Sequence, residues 1–451
     1  MKAKFITSRL IKIKDRSWTY FKDQSQSGQI ALIVVLALLS TSTVMAIGLG
    51  ILTFNEVKKL NNVVKTAQSY YAAEGGAEDA IIRVKNRMNY PGSYPLAVGG
   101  STATVTITGT LEDLSIISEG NTVGRVRKVA INLTAEPSTE SVDFNYGVQV
   151  DAGGVVMKSN SNILGNIYSN GPITGASNSF VKGDAFSAVT GGAVGIDKMT
   201  IQESAPGVGD GNAHANRITQ STIDGTAYCQ TGSGNNKPCD TSQPDPTPQP
   251  LPISNSTINT WKDWADDGGE VGSQTISGTA NLGPIKINGN LTVNSNASLT
   301  ITGTVWVTGD IHISSNSLIL LQPSYGANGS STVIADGQIK IDSNITICGS
   351  NGGVLGSCNP ENGSYIMFLS TFPFDPTEDA IVADSNILTS ILYANNGAIR
   401  LNSNVHVKEV TGYGLRLESN ATVTYETGLA SVQFTSGPGG AFKIHSWQEI
   451  E

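Results

Sequence analysis

A chain of 451 residues exceeds one small domain, so two or more folded units are expected. Only 14% of its residues are charged and 50 are glycine, with Asn, Ser and Thr abundant, which suits strands joined by tight turns rather than a helical protein. A net charge of −9 lacks the basic excess of a nucleic-acid binder, and no nucleic-acid partner is expected.

Residues 1–28 form a basic leader, with Lys2, Lys4, Arg9, Lys12, Lys14, Arg16 and Lys22 against Asp15 and Asp23. It is too long and too charged for a secretory n-region, and no A-x-A site ends the apolar run that comes next. From Gln29 to Phe54 there is no charged residue. A helix of about 20 such residues crosses a bilayer core, so the run predicts a membrane span. The basic flank places the N-terminus in the cytoplasm and the long C-terminal part outside.

Beyond Phe54 the apolar period becomes helical. Val57, Leu60, Val64, Ala67 and Tyr71 form one stripe, resumed at Ile81, Val84 and Met88. Gly75-Gly76 predicts a loosening or kink, and Pro91-Gly92 the helix end. A helix from Gln29 to Met88 would be on the order of 90 Å long. Strands are expected at Thr102–Thr108, Leu114–Ser118 and Arg125–Leu133, with a turn at Gly120-Asn121. They predict a small antiparallel sheet on which Val57, Leu60, Val64 and Ala67 are buried.

From about Val155 a third pattern begins. Apolar pairs two residues apart recur at Ile285/Ile287, Leu291/Val293, Leu299/Ile301, Val305/Val307, Ile311/Ile313 and Leu318/Leu320, and again from Ile339 to Tyr425. Three such steps make a coil of roughly twenty residues, the size of a solenoid rung, and a parallel β-helix fits better than a sandwich with its longer strands. A Ser-Asn pair recurs at 159, 161, 169, 177, 295, 315, 343, 385, 403 and 419. Asn at repeated bends can stack as an amide ladder; its frequency in turns is the plainer explanation.

Residues 204–275 interrupt the repeats with the Pro-rich run Gln243–Pro252 and a short helix at Ile258–Ala265 carrying Trp261 and Trp264. The cysteines fall in two local pairs, Cys229 with Cys239 and Cys348 with Cys358. An even count in short loops fits disulfides in an oxidising, extracytoplasmic setting, with free loop thiols as the alternative. Both loops are candidate binding insertions.

Catalytic patterns are sparse. Asp336 and Asp342, with Lys340 between them, are the best candidate carboxylate pair for polysaccharide cleavage; solvated turn acids are the plainer reading. His214, His312, His406 and His445 lack metal-ligand spacing, and His312 and His406 should face away from the core. Asp263, Asp266 and Asp267 form an acidic turn without an EF-hand pattern. No cofactor and no metal is expected.

Gly28 before Gln29-Ile30-Ala31-Leu32-Ile33-Val34-Val35-Leu36, the run Tyr71-Ala72-Ala73-Glu74, and Ile116-Ile117-Ser118-Glu119-Gly120 followed by Arg125–Leu133 carry a resemblance. Over about residues 20–135 the chain resembles type IV pilin-like proteins, most closely the PilX-type minor pilin N-terminal family. The resemblance implies that a prepilin peptidase cuts between Gly28 and Gln29 and methylates the new terminus. It further implies that Ile30, Leu32, Ile33, Val35, Leu36 and Leu39 pack against other pilin-like subunits in a type IV pilus. Two departures stand out. Mature pilins usually begin with an aromatic residue or Met, whereas this one would begin with Gln29. Major pilins carry Glu at the fifth mature position, where it pairs with a neighbour's N-terminal ammonium; here that position is Ile33. The departures point to a minor or tip role and leave an uncut anchor open. Further on, Tyr393–Ile399 and Phe442–Trp447 are similar to β-helical regions of other PilX-like surface proteins.

The expected fold is mainly β with one long N-terminal helix. Its parts are a leader (1–28), a membrane and amphipathic helix (29–92), a small antiparallel domain (93–140), a first β-solenoid part (141–203), an insertion (204–275) and the main solenoid (276–451). The expected function is a non-enzymatic pilin-like subunit at the cell membrane or on a pilus, displaying a rigid β-helix for adhesion or pilus assembly, with a surface glycan or protein as ligand. The alternative is a membrane-anchored β-helix that binds or cleaves polysaccharide.

Overall fold

In the computed structural model the chain is mainly β, with one long N-terminal helix. The structure describes residues 27–85, 92–110, 113–135, 139–204, 210–359, 363–437 and 442–450. The basic leader up to Lys22, Met88 and Pro91 lie outside them. The chain divides into two units, residues 1–68 and 69–451.

One helix, α1, spans Ser27–Lys85 without interruption. Its apolar positions up to Val64 are exposed, including Val57, Leu60 and Val64, contrary to the burial that their stripe predicts. The residues that cover the sheet are smaller and lie further on: Ala73, Ala77, Ala80 and Val84 are buried with Val105, Ile107, Ile116, Val129, Ile131 and Leu133. Small side chains let helix and sheet approach closely. A Cβ on Gly76 would lie 2.4 Å from Ser118 Oγ, and one on Gly120 would lie 1.9 Å from the Ser69 carbonyl oxygen. Gly75-Gly76 does not interrupt the helix; at Gly76 the missing side chain admits the sheet.

The antiparallel sheet has strands β1 (Ser93–Val98), β2 (Ser101–Thr110), β3 (Asp113–Thr122) and β4 (Arg125–Ala135). Gly120-Asn121 lies inside β3, and the turn falls at Val123-Gly124, both at positive φ. A fifth strand comes from the far end of the chain: Phe442–Ile450 pairs with β4. Tyr94 of β1 donates to Asp79 at 2.8 Å, and Arg83 donates to the same oxygen at 2.6 Å. The Arg83 guanidinium also lies 4.8 Å from the centre of the Tyr94 ring, tying helix to edge strand.

Most of the rest is a stack of coils whose strands pair in parallel. In the clearest part each coil has three short strands. Ile285–Val293, which supplies two of them, is followed by Ser298–Ile301, and each pairs with the next coil at Val305–Val307, Ile311–Ile313 and Leu318–Leu321. Alternate residues (Ile287, Val293, Ile301, Val307, Ile313) join one continuous core, each favouring burial by about 1.5–3 kcal/mol. Those between them face outward. Eight of the ten Ser-Asn pairs put their Asn at a bend with positive φ: 160, 178, 296, 316, 344, 386, 404 and 420. Asn tolerates this left-handed conformation better than most residues. Its amide then bonds along the stack: Asn178 donates to Asn160, Asn344 to Asn316, Asn386 to Asn344 and Asn404 to Asn386, at 3.1–3.3 Å.

The coils are not stacked in chain order. The first, Val148–Met157, pairs on one side with Ile167–Ser169 and on the other with Glu409–Leu417. One half of the stack thus runs outward from Val148 to Ser233. The other starts at Glu270 and runs inward to meet the first at this seam. Coil pairing continues past residue 203, since Arg217–Thr219 pairs with Ile196–Asp197 and then with Thr231–Ser233.

After Cys239 the chain turns back as a strap along one column of outward residues. That column reads Trp306, Ile334, Leu369, Tyr393, Thr411, Gln149, Tyr168, Phe186, His214 and Tyr228. Asp245 accepts from Asn216 (2.6 Å), the Thr247 carbonyl from Tyr168 (2.5 Å), the Pro250 carbonyl from Gln149 (2.8 Å) and the Ile253 carbonyl from Tyr393 (3.1 Å). Proline suits an extended strap because it needs no partner for a backbone N–H. Helix α2 (Asn255–Asp267), capped by Ser254, continues the strap and buries Ile258, Trp261, Trp264 and Ala265.

Candidate functional site

The site residues expected on the N-terminal helix are all helical. Ile30, Leu32, Ile33, Val35, Leu36 and Leu39 each leave 54–64% of their surface open. The polar residues nearby do not spoil the apolar surface. Ser40, Thr41 and Thr43 turn their hydroxyls back to the carbonyls of Ala37 and Leu39, at 2.6–2.9 Å, and Thr53 does the same to Leu49 at 2.8 Å. By length and composition this helix can cross a membrane. Gly28 and Gln29 lie in its first turn, with Gln29 exposed.

The carboxylates that composed the best catalytic candidate have separate partners. Asp336 accepts from Lys262 (2.5 Å), the Trp306 indole (3.0 Å) and Thr371 (3.0 Å). Asp342 lies 3.0 Å from His312 Nε2 and 3.3 Å from Lys340. The first group clasps α2 to the stack, aided by Lys286, which pairs with Asp266 and Glu270 at 3.3 and 3.2 Å and lies 4.8 Å from the Trp306 ring centre. Glu270 is held below the usual carboxylate range, chiefly by its bond from Lys286. Asp266, drawn from the acidic turn, is thus an ion-pair partner. No cluster of three metal-ligating side chains occurs among the described residues.

His214 sits in the column beneath the strap, stacked between Phe186 and Tyr228 with ring centres 4.4 and 4.5 Å away. Burial pushes its imidazole below the ordinary value, against a smaller opposite pull from Asp184. Glu409, at the seam, is wholly buried. Its Oε1 accepts from Thr411 at 2.5 Å, while Oε2 lacks a hydrogen-bond partner among the described residues. Burial raises its carboxyl well above the ordinary range. Sequence reasoning missed both roles, because neither the strap nor the seam leaves a periodic signal.

Both cysteine pairs are disulfides, with Cα atoms 5.1 Å apart for Cys229–Cys239 and 5.5 Å for Cys348–Cys358. The first loop is a cap rather than an open binding loop. Asn235 accepts from the Ser221 amide and donates to the Ile218 carbonyl; Asn236 does the same for both backbone groups of Ile223. It satisfies strand edges that would otherwise invite another strand. The second loop is a tight hairpin, Gly353–Val354 with Ser357–Cys358, whose tip exposes Val354 and Leu355. Leu355 and Gly356 form one wall of a groove of about 470 Å³ whose other lining includes Asn316, Asn344, Asn386, Asn404 and His406. Within the column, Asn344 and Asn386 each use one N–H and the carbonyl on their neighbours, which leaves a second N–H for an outside partner.

No family model and no curated protein matches this chain. Among solved structures, a similar chain is the crystal structure of the competence-associated pilin ComZ from Thermus thermophilus, at 11% identity and a TM-score of 0.27, covering 86% of this chain and 97% of that one. At that score the likeness carries no argument about this fold.

Proposed function

We propose that this chain is a non-enzymatic, pilin-like subunit of the PilX type, held in the cell membrane by its N-terminal helix, with a parallel β-helix displayed outside for adhesion or pilus assembly. The observation that carries the reading is the helix surface from Ile30 to Phe54. Its large apolar side chains are all more than half exposed. Each favours leaving water by about 1.5–3 kcal/mol, so the segment calls for lipid or for the helices of other subunits. Ile33, in place of an acidic residue, suits a minor or tip position. The separate partners of Asp336 and Asp342 favour display over polysaccharide cleavage, which needs two carboxylates flanking one bond.

The test is mass spectrometry of the N-terminus of the chain isolated from membranes of cells that carry a prepilin peptidase. The reading expects a terminus at an N-methylated Gln29, lost in peptidase-deficient cells. An intact Met1 in both strains overturns the processing step, and recovery of the chain in the soluble fraction overturns the anchor.

A further inference from the structure

Away from the strap and the disulfide loops, one surface combines two aromatic rings, a guanidinium group and two carboxylates. The segment between Ser370 and Ile381 crosses the outside of the stack and lays Phe374 over Tyr413, ring centres 4.5 Å apart and planes at 49°. Phe374 still leaves 51% of its surface open, more than an anchoring side chain needs. The two rings stand beside a groove of about 360 Å³ whose base is nearly free of side chains at Gly153, Gly154 and Gly414. Gly153 leaves room beside the ring: a Cβ there would lie 2.7 Å from Tyr413. The Tyr413 hydroxyl has no hydrogen-bond partner among the described residues.

The polar rim is close to charge balance. Asp379, almost fully buried, sits 3.1 Å from Arg400 and 3.9 Å from Arg416, which occupy the same register position on adjacent coils. Arg416 is half exposed, and its longer contact leaves most of its N–H donors free for another partner. Asp375 accepts both the amide and the hydroxyl of Thr377 on Oδ1, at 2.7 and 2.6 Å, which leaves Oδ2 as an acceptor. With Asp379 offset by Arg400 from outside the groove, Arg416 and Asp375 remain on the rim, a set that favours neither an anion nor a cation.

A pyranose ring matches this set. One face presents C–H groups of partial positive charge to the negative face of an aromatic ring, and the hydroxyl rim both donates and accepts. The volume lies at the small end of ligand sites and suits one or two rings. We infer that the Phe374–Tyr413 groove binds a neutral pyranose sugar, with Asp375 and Arg416 addressing its hydroxyls. This deepens the display reading by naming the class of surface ligand.

The full chain, reconstituted in phosphatidylcholine nanodiscs so that no glycoside detergent competes, is titrated with glucose, galactose, mannose, N-acetylglucosamine and N-acetylgalactosamine, with glucuronate as an anionic control. Binding is read by saturation-transfer NMR. At least one neutral sugar is expected to bind, with transfer strongest at its C–H face. Phe374→Ala and Tyr413→Ala should each weaken binding at least tenfold, and Asp375→Asn severalfold, with thermal melting unchanged in Phe374→Ala. No binding of any neutral sugar, preference for glucuronate, or binding indifferent to both aromatic variants overturns the inference. The result is independent of N-terminal processing, so failure here and failure of the pilin-like reading are told apart.

Discussion

Lys262 of α2 and Asp336 of the stack meet at 2.5 Å across 74 residues of sequence. Both are largely shielded, so the contact is worth more than an exposed ion pair. Asp336→Ala also strips acceptors from Trp306 and Thr371 and should cost about 1.5–3 kcal/mol. Thermal melting measures the loss, and limited proteolysis between residues 241 and 267 should become faster. Were Asp336 a solvated turn acid, neither would change.

Asn386 is the centre of the amide column, donating to Asn344 and accepting from Asn404 while holding a φ of 60°. Asn386→Ala loses both bonds and adds left-handed strain of about 1 kcal/mol, for a total of about 2 kcal/mol. Asn386→Gly keeps the backbone free and should lose less. Denaturant unfolding of the two variants separates ladder from bend.

Glu409 gives a pH dependence of definite sign. Its carboxyl is raised in the folded chain, so the folded state holds the proton more tightly than the unfolded one. The site's stability is fully present below the ordinary value of 4.5 and falls as pH climbs from there towards the raised folded value. Glu409→Gln should flatten this alkaline decline. Melting temperatures taken from pH 4 to 9 provide the check.

His214 acts on the opposite flank. Its imidazole is lowered by burial, so the unfolded chain binds the proton more readily. Stability is present above the ordinary value of 6.5 and falls as pH drops below it. His214→Phe preserves the stacked column and should remove that acidic loss, measured in the same titration.

The Cys229–Cys239 bond closes a loop with a separation of 10 residues. By chain entropy, replacing both cysteines with Ser should cost about 3 kcal/mol. Because the loop caps strand edges, amide hydrogen exchange at Ser221 and Ile223 should accelerate before global unfolding.

The sequence reveals what is local and periodic. Apolar pairs such as Ile285/Ile287 and the Asn bends repeat at the spacing of the coils, and each cysteine bonds the partner nearest in sequence. The order of the coils is invisible for a physical reason: an edge at Val148 is equally apolar whether its neighbour comes next in the chain or is Val410. The strap is hidden because extended proline-rich chain has no period, and its function lies in single bonds such as Gln149 to the Pro250 carbonyl. The helix–sheet contact is misplaced in a reading by hydrophobicity, which selects Val57, Leu60 and Val64, whereas close packing here selects Ala73, Ala77 and Gly76. In the Phe374–Tyr413 groove, nothing in the sequence brings residue 374 to residue 413.

The seam has a mechanical consequence. Solenoids are sums of neighbouring contacts and peel most easily from a terminal rung. Here the chain enters the stack at Val148, beside the coil that ends at Thr424; Val432–Thr435 then pairs antiparallel with Thr139–Val142 and, through Gln433 and Phe434, with Gly329 and Ser330 of the stack, before Phe442–Ile450 zips onto β4. Tension transmitted from the antiparallel sheet therefore reaches the stack through two segments paired with each other, Thr139–Val142 and Val432–Thr435, rather than at a terminal coil. It loads those paired strands and the Gly329–Ser330 edge together rather than unwinding an end coil.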